Sequence, residues 1–441
     1  MCKDKRVCII GAGFTGLAAS TDLLASGASV HIVEQNDKLG GMAGGFQEQG
    51  WTSSVEYTYH HWFATDLAFQ EYAAKWNAAD GLMLKRPLTL VETRASGFVR
   101  MDSPTSLLKY PDINPIDRLR LGFVLLHLRK ADQWKHFENI TAEEWCRRWM
   151  GSATYEALWK PQLISKFGAD WEPKISMAFL WARLHARSPE LGTFKGGFQK
   201  LADRAEVHLI QNGATIHKSV ADALVQSADN NSWQVRINGE WQVFDCVLVA
   251  ASPQALRTVA SDVNPAFCKQ VCDQPYLGAR TTILSLNRPL GESKAYWYSL
   301  RPRADLPFTV VVEHANFVSS DEYGGENIVY LGEYLSSGSP EWNWDDSLLH
   351  NKAMECLQRI NPEITEDNIK RQWIFKYEYA QPVRGLNASA DIPPLAIPGC
   401  KGLYYASMAH IYPWDRGTNY ALELGGKVAN TCNDYICNGD K

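Results

Sequence analysis

The sequence predicts an α/β protein in which a Rossmann-type nucleotide-binding domain is joined to a substrate domain made of a mixed sheet and helices. Three observations predict it. A glycine loop sits between an apolar run and a helical repeat at residues 7–25. Strand patterns fit for burial return at 244–253 and 399–406. A set of alternating, β-branched segments lies between residues 279 and 335. With 441 residues, against about 150 per domain, two or three domains are expected.

Val7-Cys8-Ile9-Ile10 is a short continuous apolar run, as expected of a strand covered on both faces. Gly11, Gly13 and Gly16 follow, and Phe14, Leu17, Ala18, Thr21, Leu24 and Ala25 then recur at helical spacing. "ASVHIVE" returns to strand character and ends in Glu34. This β–loop–α–β unit predicts dinucleotide binding: Gly11 permits the turn, Gly13 lets backbone approach a pyrophosphate, and Gly16 lets helix and strand pack closely. Phe14 and Thr15 open the helix whose N–H groups would face the phosphates. Glu34, with Gln35 beside it, is placed to accept from ribose hydroxyls, and an acid there disfavours a 2′-phosphate.

"EQNDKLGGMAGGF" places a second glycine turn, Gly40-Gly41, directly after the second strand, followed by Met42 and Ala43. A nicotinamide enzyme would normally continue into its next helix here. With this turn the chain resembles the flavin amine oxidase superfamily, which includes protoporphyrinogen oxidases and phytoene-type desaturases. The resemblance implies FAD, held along its ribityl-pyrophosphate arm by this turn. Three later stretches support it. "LGTFKGGFQKLADRAEVHLIQNGATIHKSVADALV" is similar to the returning segment, where a backbone group near Val220 would meet the adenine. "FDCVLVAASP", with Ala250, is similar to the strand that re-enters the cofactor domain. "GCKGLYYASMAHIYPWDRGTNYALELGGKVAN" is similar to the C-terminal signature, in which Ser407 and Met408 run past the ribityl chain. There Gly417, Thr418 and Asn419 would face the isoalloxazine, and their N–H groups would stabilise charge on its pyrimidine edge. Glu423 and Lys427 would pair at i, i+4 on the outer face of that helix. Met42 stands where many relatives have Arg, a departure shared with the protoporphyrinogen oxidase and desaturase branches that weakens a true amine oxidase reading. Ser407-Met408-Ala409 departs from the usual Gly followed by a polar or acidic residue.

In relatives, the segment after the glycine turn swings back under the flavin; here it reads "SSVEYTYHHWFATD". Tyr59 and His60 would lie near the ring. His60 and His61, if extended, point to opposite faces, so at most one of them would see flavin or substrate. Such a histidine could take a substrate proton as hydride leaves, or only bond backbone beside the ring. Tyr412, Asp415 and Arg416 immediately precede the flavin-facing helix, and Lys166 precedes Gly168 on a helical segment. An Asp-Arg pair can anchor a polar or anionic group or form a structural ion pair, and several amine oxidases keep a lysine near flavin N5, so these are the further catalytic candidates.

The cofactor domain is expected from residues 1–80, 190–258 and 385–433, the substrate domain from 81–189 and 259–384, and a frayed tail from 434–441. The first insert reads as helical, with Thr141 and Glu144 as a capping box and "SMAFLWARLHAR" beyond. The second reads as strands: "ARTTILSLN", "FTVVVEH" and "NIVYLGEYL".

A net charge of −5 argues against a nucleic-acid partner. Sixteen tryptophans weakly favour an apolar or aromatic substrate. Ten cysteines without a C-x-x-C, behind an N-terminus that runs straight into a strand, predict a cytoplasmic chain with reduced thiols and no metal site. Cys400 is not positioned for a covalent flavin link, so the FAD is expected to dissociate. "RLRLGFVLLHLRK", 118–130, reads as a helix of the substrate domain, with peripheral membrane contact the alternative.

The resulting expectation is an FAD-dependent oxidoreductase. It takes hydride from a C–C, C–N or C–O centre of a small organic substrate and passes electrons to oxygen, a quinone or another acceptor. The alternative is a non-redox flavin isomerase or mutase, similar to UDP-galactopyranose mutase or carotene isomerase. A mutase would need arginines to grip a pyrophosphate, for which Arg183, Arg187 and Arg280 are available. A flavin-binding protein without turnover is the third reading.

Overall fold

The computed structural model describes residues 4–438 apart from 96, 187, 189, 221–223, 230 and 231. Five strands form a wholly parallel sheet in the order Thr215–His217, Ser29–Val33, Arg6–Ile10, Cys246–Val249, Leu403–Tyr405. Val7, Cys8, Ile9 and Ile10 are all buried, as a strand covered on both faces must be. On one face Val7 and Ile9 pack with Leu17 and Leu23 of the helix Phe14–Ala25 and with Leu422 and Val428 of the helix Thr418–Asn438. On the other, Cys8 and Ile10 meet Val225, Trp233 and Val235 of a three-stranded antiparallel sheet.

A second sheet has seven strands in the order Ile369–Pro382, Tyr276–Leu286, Asn327–Leu335, Val310–Glu313, Trp297–Ser299, Thr89–Glu92, Phe98–Arg100. It is mixed: Trp297–Ser299 and Thr89–Glu92 run parallel, and the other pairs are antiparallel. Helices Pro115–Lys130, Ala142–Met150, Lys160–Phe167 and Met177–Ala186 build a separate core around Leu121, Cys146, Leu163 and Trp181. Thr141 caps the second of these, its hydroxyl accepting from Glu144 N at 3.1 Å.

The structure departs from the sequence reading in four places. The insert read as helical also holds the strands Leu82–Lys85, Thr89–Glu92 and Phe98–Arg100. They are three or four residues long and lack alternation, so only their non-local partners reveal them. Residues 434–438 continue the last helix. Glu423 accepts from Asn419 Nδ2 at 2.8 Å instead of pairing with Lys427. Cys437 is disulfide-bonded, so the cysteines are not all reduced, although eight others are free thiols.

The segment 118–130 lies in the helix Pro115–Lys130, which buries Leu121 and Leu128 and leaves Ile116, Leu119, Phe123 and Leu126 exposed. Among the described residues no helix is long and apolar enough to cross a membrane.

Candidate active site

One continuous cavity of about 1770 Å³ runs from the first glycine loop, between the two sheets, to the helices of the first insert. Its inner end is built by local geometry. Gly11 takes φ +104°, and a methyl group there would fall 2.5 Å from the Ala250 carbonyl oxygen. A methyl on Gly16 would fall 2.0 Å from the Gly11 carbonyl oxygen, so Gly16 serves packing and does not line the cavity. Gly13 is different: beside it lies only the Cα of Gly41, 4.0 Å from where its Cβ would be. The space in front of Gly13 is therefore open. The helix behind it has no side-chain cap, and its first internal bond is Leu17 N to Gly13 O. The N–H groups of Phe14, Thr15 and Gly16 thus leave the helix end without a partner in the helix.

Gly40 and Gly41, both at positive φ, close against this loop, with Gly40 N donating to Ala12 O at 2.9 Å. Glu34 is buried; one carboxylate oxygen accepts from Ala12 N at 2.8 Å, the other from Asn36 N at 3.0 Å and Asn36 Nδ2 at 2.9 Å. A carboxylate offers about four acceptor sites, so Glu34 retains capacity for a ribose. Gln35, Met42, Ala43, Val220 and Ala250 line the same end. The Val220 N–H donates to Glu34 O at 3.0 Å.

Ser407, Met408, Gly417 and Thr418 line the next part of the cavity. The Thr418 hydroxyl is buried, lines the cavity and has no hydrogen-bond partner among the described residues, so it is open to a ligand's polar group. Asn419, expected beside the ring, turns away: its Oδ1 accepts from Phe69 N at 3.0 Å and its Nδ2 holds Glu423. These residues suit a dinucleotide: an uncapped helix end for phosphate, an acid for ribose, and a hydroxyl without a partner among the described residues at a second helix end.

His60 and His61 both line the cavity, against the expectation of opposite faces. The backbone between Val55–Glu56 and Trp62–Phe63 is irregular, so strand alternation does not apply. His60 Nδ1 donates to Thr58 O at 2.6 Å, leaving Nε2 as an acceptor. Burial pulls its pKa down to about 4, against the upward pull of that bond, so it is a neutral acceptor and a weak base. His61 Nε2 is hydrogen-bonded to the Tyr296 hydroxyl and its ring stands edge-on to Tyr296. Tyr59 packs edge-on to Trp297, 5.3 Å between centroids, over Gly332, whose missing side chain makes room for it.

Lys166, Asp415 and Arg416 come together on the cavity wall. Lys166 Nζ lies 2.7 and 3.0 Å from the two oxygens of Asp415. Arg183, which the sequence offered only as a mutase arginine, joins them through Nη1 on Asp415. Arg416 donates to Gln381 Oε1 at 3.2 Å and to the Tyr334 hydroxyl. Tyr412 is not in this group. It lies behind the wall with its ring against Trp134, and does not line the cavity. Of the other arginines, Arg280 is fully buried against Glu333 away from the cavity, and Arg187 lies outside the described residues. Tyr334, Gln381 and Trp297 carried no signal in the sequence beyond strand alternation.

Burial, with Arg183 and Arg416 nearby, brings the Lys166 pKa down to about 7 despite Asp415. In the unfolded chain a lysine keeps its proton to about pH 10. Between those values the unfolded chain binds more protons, so this group makes stability rise with pH. Melting temperatures across pH 6–9 should therefore show a rising component in the wild type that is missing in Lys166→Met. An identical slope in both would place the titration elsewhere.

The profile of the family described as flavin containing amine oxidoreductase matches residues 14–433. No curated protein matches the sequence. Among solved structures, a protein provisionally assigned as a protoporphyrinogen oxidase from Exiguobacterium sp. 255-15 is similar at 15% identity and a TM-score of 0.75, covering 97% of this chain and 98% of that one. Reduced UDP-galactopyranose mutase is similar at 16% identity and 0.75, covering 99% and 96%. Cyclohexylamine oxidase from Brevibacterium oxydans IH-35A is similar at 13% identity and 0.71, covering 98% and 99%. At these identities the likeness is one of fold.

Proposed function

The chain belongs to the flavin containing amine oxidoreductase family and is a flavin-dependent oxidoreductase; from that premise we propose that its cofactor is dissociable FAD and that it oxidises a C–C, C–N or C–O centre of a small organic substrate. The observation that carries this reading is the cavity itself, which joins a phosphate-ready helix end at Gly13 to an aromatic chamber at Tyr59, Trp297 and Tyr334. Glu34 would hold the ribose and the N–H groups of Phe14 and Thr15 the pyrophosphate. Gly40 to Ala43 would border the ribityl arm, and Gly417 and Thr418 the pyrimidine edge.

Bound there, the flavin supplies a hydride acceptor. The protein's own residues supply the rest. Tyr59, Trp297 and Tyr334 form a wall that orients the substrate and excludes water. His60, fixed by Thr58, presents Nε2 as a hydrogen-bond acceptor, and its low pKa keeps it uncharged at neutral pH. The helix end at Thr418 offers N–H groups to negative charge that develops near it. No cysteine lines the cavity among the described residues, which supports a cofactor held without a thioether link.

The test is to denature the purified yellow protein with acid and analyse both fractions. One equivalent of FAD in the supernatant over a colourless precipitate is expected. FMN in the supernatant, or colour held in the precipitate, contradicts the cofactor assignment. Turnover of a substrate by dithionite-reduced protein with no acceptor consumed would instead favour the isomerase reading.

A further inference from the structure

The charges on the cavity wall do not balance. Among the described residues, Lys166, Arg183 and Arg416 surround one carboxylate, Asp415. All four line the cavity, and the side chains of Lys166, Asp415 and Arg183 are only 12%, 16% and 21% exposed. Asp415 has no capacity to spare. Its Oδ1 takes Lys166 at 2.7 Å and Arg416 N at 3.0 Å, while its Oδ2 takes Lys166 at 3.0 Å and Arg183 Nη1. Arg416 spends Nε on Gln381 and Nη2 on Tyr334. That leaves Nε and Nη2 of Arg183 and Nη1 of Arg416 as donors without an acceptor among the described residues.

A structural ion pair needs one cation for one acid, and the two guanidinium groups alone outnumber the one carboxylate even where Lys166 is neutral. Excess positive charge in a half-closed, aromatic-walled space is costly unless an anion joins it. Planar guanidinium groups with free N–H edges are the groups best shaped for an oxyanion. We propose that the cavity receives an organic oxyanion, its carboxylate or phosphate seated on Lys166, Arg183 and Arg416 and its apolar or aromatic body against Tyr59, Trp297 and Tyr334. The inference rests on the reading above that this chamber is the substrate site. It also excludes a class: an alkylammonium ion would meet the same excess charge with the wrong sign, so simple amines are poor ligands here despite the family's name.

The test uses flavin-loaded protein and four probes of one shape: 3-phenylpropionate, 2-phenylethyl phosphate, 3-phenylpropanol and 3-phenylpropylamine. Binding is read both by calorimetry and by perturbation of the visible flavin spectrum. At least one anion should bind ten-fold or more tighter than the alcohol, and the amine should bind weakest. The tighter of the two anions identifies the headgroup. Added sulfate should compete with the anions and not with the alcohol. Arg183→Gln should weaken the anion at least ten-fold and leave the alcohol unchanged, with Arg183→Lys recovering part of the loss. Equal binding of alcohol and anions, tighter binding of the amine, or an Arg183→Gln variant that holds the anion as before would overturn the proposal. The wild-type probe series and the sulfate competition decide it even if the variant does not fold. Calorimetry reads the cluster whether or not flavin responds. Protein that takes up no flavin, yet binds the anions, would refute the cofactor reading and keep this one.

Discussion

Gly13→Asp is expected to fold and to lose its flavin. The residue sits at φ −69° and ψ 173°, a conformation open to any L-residue, and its Cβ would have no neighbour closer than Gly41 Cα at 4.0 Å. The substitution therefore costs the fold little. The new carboxylate, however, stands before the free N–H groups of Phe14 and Thr15, where the account puts a pyrophosphate. It occupies those donors and repels the anion, for a loss of about 100-fold or more in affinity, or roughly 3 kcal/mol. Gly13→Ala, which adds bulk without charge, should lose less, about ten-fold. The measurement is the ratio of flavin to protein after purification, with the melting temperature of the flavin-free protein as the control. Stoichiometric flavin on a well-folded Gly13→Asp protein would remove the pyrophosphate from that loop.

The largest expected effect on stability lies elsewhere. Arg280, in the middle of the strand Tyr276–Leu286, is fully buried beside Glu333, with the Glu341 carbonyl accepting from its Nη1. Glu333→Ala leaves a guanidinium in the sheet interior with no counter-charge. Breaking a buried pair from one side costs about 3–5 kcal/mol. Neither residue lines the cavity, so variant protein that still folds should keep its flavin. The double change Arg280→Met with Glu333→Leu should recover most of the loss, since it removes both charges and fills the space. Denaturant unfolding of the three proteins measures this. A Glu333→Ala protein within about 1 kcal/mol of the wild type would mean that water reaches Arg280.

The glycine-loop end of the cavity was legible in the sequence because it is built from local patterns. Gly11, Gly13, Gly16 and Glu34 lie within one β–loop–α–β unit, and their spacing carries the chemistry. Gly40-Gly41 was legible for the same reason, though not that it would close onto Gly13. Buried strands such as Cys246–Val249 announced themselves by unbroken apolar runs. The substrate end was not legible. Lys166 and Asp415 are 249 residues apart and Arg183 and Asp415 232 apart, and no periodicity links them. Asp415 and Arg416 were noticed as an adjacent pair before the last helix, able to anchor a polar or anionic group, and Tyr412 was drawn in with them, although its ring packs on Trp134 behind the wall. The histidine pair was misplaced because alternation was applied to a stretch with no strand. Asn419 was misplaced because a position on the first turn of a helix does not say which way its side chain goes.

The measurement that tests the account most directly is an anaerobic visible spectrum of the holoprotein before and after a pooled metabolite extract is added, with the extract split on an anion exchanger. The account predicts that the oxidised-flavin bands bleach and that the bleaching activity is retained by the exchanger. A flavin that stays oxidised with every fraction, yet is reduced by dithionite, would contradict substrate oxidation at this site.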